Sequence, residues 1–313
     1  MGLLGGLGVA CERSGASDDG APAVPQRTTR GDLALQNLSN RIDTLGKRAA
    51  RTPLSLAQRG QWVDLLLTRV QFTGSYPDLD RVLEIAASAV RDFEKDPKAY
   101  LLRARAASAV HRFEDAAHDL QAAARLGADV DARLASIRIA QGRELEAARA
   151  FARARVERSA SLEHLGLLAL AEAALGEFDA ADRHYAAALA TLRDVSPFPV
   201  AQLSFQRGVM WAEQAGRPER ALPHYAEAVR RVPAYVVANV HLAELEVALG
   251  RRDDAIERLR AVVDHTEDPE PAGYLGELQL ADNPGDGAAL ALIGRARTRY
   301  ERLLQKHRSA FLD

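Results

Sequence analysis

A short pattern recurs six times between residues 116 and 303. Each copy has an alanine, a large side chain four residues later and a usually small residue three residues after that. Successive first alanines lie 31, 34, 40, 34 and 41 residues apart. Because spacings of four and three place side chains on one stripe of an α-helix, each triplet predicts a helix with a narrow apolar face. The six triplets are Ala116-Leu120-Ala123, Ala147-Phe151-Ala154, Ala181-Tyr185-Ala188, Ala221-Tyr225-Ala228, Ala255-Leu259-Val262 and Ala296-Tyr300-Leu303.

The composition favours a chain made only of helices. Of the 313 residues, 47% are hydrophobic but only 5% are aromatic. Alanine, leucine, arginine and glutamate are prominent, and all four are strong helix formers, whereas strands favour β-branched and aromatic residues. The 41 basic and 43 acidic side chains nearly cancel, so no overall field attracts phosphates and we expect no nucleic-acid partner. A single cysteine excludes an internal disulfide framework.

Glycines punctuate the chain midway between apolar helices, at Gly142, Gly176, Gly216 and Gly250. Five triplets also follow a helix with a small residue at its centre, namely Ala104, Ala135, Ala169, Ala243 or Gly276. This arrangement resembles the tetratricopeptide repeat, a helix–turn–helix unit of 34 residues with small residues where its two helices touch. The resemblance covers residues from about 54 to 310 and implies an all-α, right-handed α-solenoid of about six to seven repeats. Gly208 stands one step earlier than the equivalent small residues, so the sequence leaves the register of its helix open.

Three regions follow from these patterns. Residues 1–31 form an apolar, glycine-rich N-terminus and a tether of linker composition. Residues 32–96 comprise an N-terminal helix, with Asp32 as its candidate cap, and a degenerate first repeat that includes Trp62. Residues 97–313 form the tetratricopeptide-like solenoid, with an insertion around residues 195–199.

Cys11 ends the apolar N-terminal stretch and directly precedes the predicted tether. This setting resembles a bacterial lipoprotein signal, in which the cysteine is lipidated. It implies a protein held on the periplasmic side of the bacterial cell envelope, with Cys11 as the only contact with the membrane. Gly8 stands where an aliphatic residue is usual, and no lysine or arginine precedes the stretch. The alternative is an incidental thiol on a cytoplasmic protein.

A solenoid of this type presents a concave groove lined by the first helix of each pair. The family's groove suits an extended peptide or a partner helix, which implies a non-enzymatic scaffold or adaptor that binds other proteins. The alternative is the recruiting arm of a larger enzyme or signalling protein. Leu101, Ala132 and Gly166 stand where a carboxylate-binding groove would need charged or amide donors. By register, the candidate groove residues are Arg105, Ser108, Gln206, Met210, Glu213, Glu244, Val247, Glu277 and Leu280.

No catalytic or metal-binding motif occurs in the sequence, so we expect no enzyme activity, no cofactor and no metal. His184 and His224, each directly before a repeat tyrosine, are expected to be partly exposed. The polar run at residues 264–268 is expected to be a solvated loop between repeats. Residues 282–287 resemble a calcium loop but lack the acidic residue at its twelfth position, where Ile293 stands, and are expected to form a turn.

Overall fold

The computed structural model describes residues 27–310 and is helical throughout, with no β-strand in that range. Cys11 and the apolar N-terminal stretch lie outside the described residues. No helix within 27–310 combines the length and the apolar character needed to cross a bilayer. The helices are α1 (Gly31–Ala49), α2 (Leu56–Thr73), α3 (Tyr76–Asp92), α4 (Pro97–Ser108), α5 (Phe113–Arg125), α6 (Asp131–Ala140), α7 (Leu145–Arg158), α8 (Leu162–Ala174), α9 (Phe178–Thr191), α10 (Pro197–Val209), α11 (Pro218–Arg231), α12 (Val236–Ala248), α13 (Arg252–Val263), α14 (Glu270–Asp282) and α15 (Gly287–Lys306), with a π-helical turn (Met210–Gln214) and a final 3₁₀ turn (Arg308–Ala310).

The helices form seven antiparallel pairs, from α2–α3 to α14–α15, and each pair packs on the next. Residue choice at the ends fixes several boundaries. Ser55 and Gln58 form a reciprocal capping box that begins α2. Gly176 and Gly250 end α8 and α12 with positive φ angles of 80° and 75°, which only glycine adopts without steric cost. The predicted α-solenoid of helical pairs is confirmed.

The recurring triplets form the apolar seam of the solenoid. In α5, α9, α11 and α13 all three triplet residues are buried. The second triplet is wrong by one residue, because α7 buries Ala148 and Ala152 in place of Ala147 and Phe151. Glu144 adopts a left-handed conformation just after the turn glycine and adds one residue to the turn.

The sixth triplet, in α15, is only partly buried. Tyr300 stays 38% exposed, whereas Ala296 and Leu303 of the same helix are buried. Burial and the charges of Glu270 and Asp268 raise the pKa of Tyr300, so its hydroxyl lies near these two carboxylates.

The early position of Gly208 has a structural cause. The equivalent small residues precede their turn glycine by seven residues, whereas Gly208 precedes Gly216 by eight. The π-helical turn Met210–Gln214 absorbs the extra residue. Gly208 therefore keeps its contact with the second helix, where a Cβ would lie 2.4 Å from the ring of Tyr225.

The two ends of the solenoid meet through polar contacts. The Thr266 hydroxyl donates to the Thr73 carbonyl at 2.7 Å, and the Tyr76 hydroxyl lies 3.4 Å from Asp268 Oδ2. The expected solvated loop at 264–268 is thus wrong at two positions, since Thr266 and Asp268 are 7% and 8% exposed. His307 adds a further contact, with its Nε2 atom 2.9 Å from Asp80 Oδ1 on α3.

Apolar packing also joins α2, near the N-terminal end of the solenoid, to α10 and α12. Phe72, at the end of α2, packs its ring 4.9 Å from Phe198 of α10 and 4.5 Å from Tyr235 beside α12. The insertion before α10 takes part as well, because the Val195 carbonyl accepts from the Thr29 amide at 2.8 Å. The solenoid therefore closes on itself, with α1 and α2 lying against α10 and α12.

Candidate binding surfaces on the inner face

The first helices of the pairs line one face of the solenoid, which we call the inner face. Contacts between α2 and α4, α6 and α8, and α12 and α14 bring alternate helices side by side along it. Closure places α1 and α2 against the α10–α12 part of this face. The open groove expected along the whole chain is therefore interrupted, and the accessible inner face falls into two stretches.

The first stretch, which we call the N-terminal groove, consists of two adjoining depressions between α2 and α8. The larger, of about 520 Å³, has Ser108, Ser136 and Glu163 among its lining residues. The smaller, of about 210 Å³, lies between α2, α4 and α6. Both depressions include Arg105 and Arg133, so the two arginines form a shared wall and the depressions make one continuous groove.

Apolar side chains lie within both depressions, beside the charged wall. Leu101 and Leu102 contribute to the smaller depression, and Phe113 and Ile137 to the larger. Gly60 adds no bulk on α2, since a Cβ built there would meet nothing within 4 Å. The groove thus offers apolar contact on both sides of the two arginines, which is the composition expected of a specific binding site.

Only some of the charged side chains in the N-terminal groove form ion pairs within the protein. Arg105 forms an ion pair with Asp64 of α2. Lys98 and Arg133 form no ion pair with any described residue. Glu163, at the α8 end, likewise has no cationic partner within residues 27–310. The wall between the depressions therefore keeps positive charge available to a ligand.

The second stretch is an acidic cluster around His241 on α12. Its Nδ1 atom lies 3.1 Å from Glu213 Oε1 and 3.6 Å from Glu244 Oε2. Burial lowers the pKa of His241, but the hydrogen bond to Glu213 and the negative charges nearby outweigh burial, so the pKa is raised above its usual value. The Tyr225 hydroxyl, 3.4 Å from Glu213, completes a network that anchors this carboxylate.

The structure separates the nine sequence-predicted groove residues. Arg105 and Ser108 lie together in the N-terminal groove, and Glu213 and Glu244 lie together around His241. The remaining four accessible residues are spread over three first helices: Gln206 on α10, Val247 on α12, and Glu277 and Leu280 on α14.

Met210 was a wrong choice for a partner-contacting residue. It is 1% exposed and packs in the core cluster that holds Trp211. The π-helical turn is the cause, because the additional residue rotates Met210 inward while Glu213 stays at the surface.

The expectation for His224 is also wrong, whereas His184 is partly exposed as expected. His224 is 7% exposed and lies 3.9 Å from Asp182, a carboxylate that accepts two hydrogen bonds from Arg207 at 2.9 Å and one from Trp211 at 3.0 Å. Burial and the positive charge of Arg207 lower the pKa of His224 to about 4. This network ties α9 to α10 and α11 and is structural.

Two inner-face residues escaped the sequence reasoning. His241 lies three residues before the predicted Glu244 and shares its helical stripe, so following that stripe by one turn would have found it. Arg133 lies on α6, a helix that contributes none of the nine predicted groove residues. Within residues 27–310, no group of three or more histidine, cysteine, aspartate or glutamate side chains is arranged to hold a metal ion.

Comparison with known proteins agrees with this architecture. A family model described as tetratricopeptide repeat matches residues 212–278, which begin within the π-helical turn and include α11, α12, α13 and most of α14. No curated protein matches the sequence.

Two solved structures illustrate the likeness in fold. A chain of the APC/C hetero-tetramer Cut9–Hcn1 aligns with a TM-score of 0.51 and 16% identity, over 85% of this chain and 55% of that chain. The human IFIT1 dimer with m7Gppp-AAAA aligns with a TM-score of 0.58 and 16% identity, over 90% of this chain and 71% of that one. This chain thus spans about half the length of the Cut9–Hcn1 chain. The family match over residues 212–278, the repeated helical pairs and their buried seam together support a protein of the tetratricopeptide-repeat family.

Proposed function

We propose that this protein is a non-enzymatic interaction scaffold that binds an extended peptide or a helix of another protein in its N-terminal groove. The observation that carries the proposal is the continuous groove between α2 and α8, apolar on both sides of a cationic wall. The α10–α12 part of the inner face lies against the protein's own α1 and α2, so less of it is available to a partner. An elongated groove fits a chain segment better than a compact small molecule.

The comparisons support the scaffold at the level of fold only. Cut9–Hcn1 is a protein assembly, whereas the IFIT1 structure contains a capped RNA. We favour a protein ligand because Asp64 and Glu163 lie in the same groove as the cations, and each would repel a phosphate backbone.

A selected peptide tests the proposal directly. Peptides from a phage-displayed random dodecamer library are selected on the full chain, synthesised with a fluorophore and titrated by fluorescence anisotropy. Ser136→Trp fills the larger depression from its exposed wall, and Ala261→Trp, on the exposed surface of the second helix α13, is the matched control.

We expect Ser136→Trp to weaken binding by about tenfold or more, since the indole occupies space the peptide needs, while Ala261→Trp leaves the affinity unchanged. Circular dichroism confirms that both variants keep their helices. If no selected peptide is sensitive to Ser136→Trp in a folded variant, the groove is not the binding site and the proposal fails.

The proposal extends to location at the bacterial cell envelope, on the periplasmic side, through a lipid on Cys11. Its support is the sequence context of that cysteine. Metabolic labelling with an alkyne fatty acid, followed by membrane fractionation, compares the wild-type chain with Cys11→Ser. Label and membrane association that both depend on Cys11 would support the anchor, and an unlabelled wild-type chain in the soluble fraction would refute it.

A further inference from the structure

We propose that the N-terminal groove recognises one acidic side chain flanked on both sides by apolar residues of the bound peptide. This inference rests on the proposed function and adds the chemistry of the ligand. It follows from the position of the charges within the groove and from the apolar side chains beside them.

The acidic residue is specified by the wall that the two depressions share. Arg105 and Arg133 both belong to this wall, and Lys98 lies beside them in the smaller depression. The Asp64 carboxylate pairs with Arg105, whereas Arg133 and Lys98 form no ion pair among the described residues. Asp129 is hydrogen-bonded to Arg155, which is the main cause of its lowered pKa, and the charge of Arg133 contributes least to that shift. A guanidinium with a free face binds a carboxylate through charge-assisted hydrogen bonds, so an acidic ligand side chain completes the wall.

The flanking residues are specified by the depressions themselves. Leu101 and Leu102 on one side, and Phe113 and Ile137 on the other, offer apolar surface to residues before and after the acidic one. An extended chain directs successive side chains to opposite faces. A peptide whose inward-facing side chains are one apolar, one acidic and one apolar, spaced two residues apart, therefore matches the order of the surfaces in the groove.

A uniformly acidic ligand does not match. Asp64 lies at the α2 side of the wall and Glu163 at the α8 end of the larger depression. Additional carboxylates or phosphates in those places would meet like charge, which disfavours wrong partners. The groove thus selects a single acidic residue rather than an acidic tract or a nucleic acid.

Charge reversal of the wall gives a test that separates this inference from the scaffold proposal. Dodecamer selections are run in parallel on wild type, on Arg133→Glu and on the control Arg260→Glu. Arg260 is exposed on α13 and forms no ion pair with a described residue. We expect wild type and the control to enrich peptides with one Asp or Glu between apolar residues, and Arg133→Glu to enrich Lys or Arg at that place.

Synthetic variants of one wild-type peptide then give the magnitude. Replacing its acidic residue with the uncharged amide should weaken binding to wild type by about tenfold, and Arg133→Glu should weaken binding of the parent peptide by at least as much. Because the introduced carboxylate repels the acidic residue of the peptide, the amide replacement should strengthen binding to Arg133→Glu. Such coupling between the two changes would support a direct contact.

Two outcomes would overturn the inference. Peptides that depend on Ser136 but show no acidic enrichment would refute the charge selection and leave the scaffold proposal intact. An octa-adenylate RNA that binds wild type more tightly than every selected peptide, and loses affinity in Arg133→Glu, would show that the wall serves nucleic acid. If Ser136→Trp weakens the binding of no selected peptide, the scaffold proposal itself is refuted.

Discussion

The Phe72 side chain joins the two ends of the solenoid, so Phe72→Ala is the sharpest test of the closed form. Its ring is 1% exposed and contacts Phe198 and Tyr235, which belong to pairs more than a hundred residues further along the chain. No partner of Phe72 in this cluster lies in the adjacent α3 or α4. The substitution should therefore weaken closure without removing a contact inside a helical pair.

The size of the effect follows from burial. An aromatic side chain buries roughly 150–250 Å². At about 25 cal/mol per Å² this corresponds to roughly 4–6 kcal/mol as an upper estimate. Buried Phe→Ala changes cost about 3–5 kcal/mol. Applied to the equilibrium between closed and open forms, 3–5 kcal/mol is roughly a 10²- to 10⁴-fold shift toward the open form.

Hydrogen exchange and small-angle scattering measure this shift. Repeat arrays derive their stability from individual units and neighbour contacts, so the solenoid can open while each pair stays folded. We expect faster amide exchange in α2, α3 and residues 264–269, and a larger radius of gyration, at unchanged helical circular dichroism. Phe178→Ala is the matched control, because Phe178 packs 6.2 Å from Trp211 between consecutive pairs.

The reasoning is refuted if Phe72→Ala leaves the radius of gyration unchanged and accelerates exchange at residues 264–269 no more than Phe178→Ala does. That result would show that the closing contacts do not hold the ends together in solution. Unfolding of the whole chain by Phe72→Ala, seen as lost helicity, would show that closure and helix pairing form one cooperative unit.

Two further predictions concern single sites. Gly208→Ala should lower the free energy of unfolding, measured in urea, by about 1–2 kcal/mol, because a Cβ would lie 2.4 Å from the buried Tyr225 ring and the added helix propensity offsets only part of the strain. Gly166→Ala is the control and should not lower stability, because a Cβ there would meet nothing within 4 Å. Equal losses of stability at both sites would contradict the packing argument. The raised pKa of His241 means that its ion pair with Glu213 stabilises the fold at low pH and that this contribution is lost as pH rises through the folded-state pKa. Between about pH 6 and pH 9 the wild type should lose stability that His241→Gln does not, and parallel profiles would refute this pairing.

The sequence was sufficient for the helical pairs because their determinants are local. Triplets such as Ala181-Tyr185-Ala188 bury as predicted, since spacing along one helix decides which side chains share its face. The predicted register was wrong at the two places where the structure accommodates one additional residue. The left-handed Glu144 displaced the seam of α7, and the π-helical turn moved Met210 into the core. Both irregularities keep the helices packed while they interrupt the regular helical geometry. The periodicity of a sequence alone does not show where such an interruption is favourable.

Closure was beyond sequence reasoning for a different physical reason. Phe72 and Tyr235 lie far apart in sequence and belong to no repeated position, so no spacing rule links them. Their contact depends on small rotations between successive pairs that add up along the chain. The candidate site shows the same limit: Arg105 and Ser108 followed from register, whereas their meeting with Arg133 and Asp64 in one groove required the packing of three neighbouring first helices.

Helix α2 connects the groove to the closure. Its first half contributes Gly60 and Asp64 to the N-terminal groove, and its end carries Phe72 into the closing cluster. Asp64 and Phe72 are eight residues apart, or about 12 Å along a helix that rises about 1.5 Å per residue. If the contacts of a ligand require α2 in its closed position, closure raises the affinity for the ligand by some factor. The bound ligand must then raise the equilibrium constant for closure by the same factor. Contacts confined to α4 and α6 would leave closure unaffected, so the share of binding energy that passes through α2 determines whether this scaffold is rigid or responds to its partner.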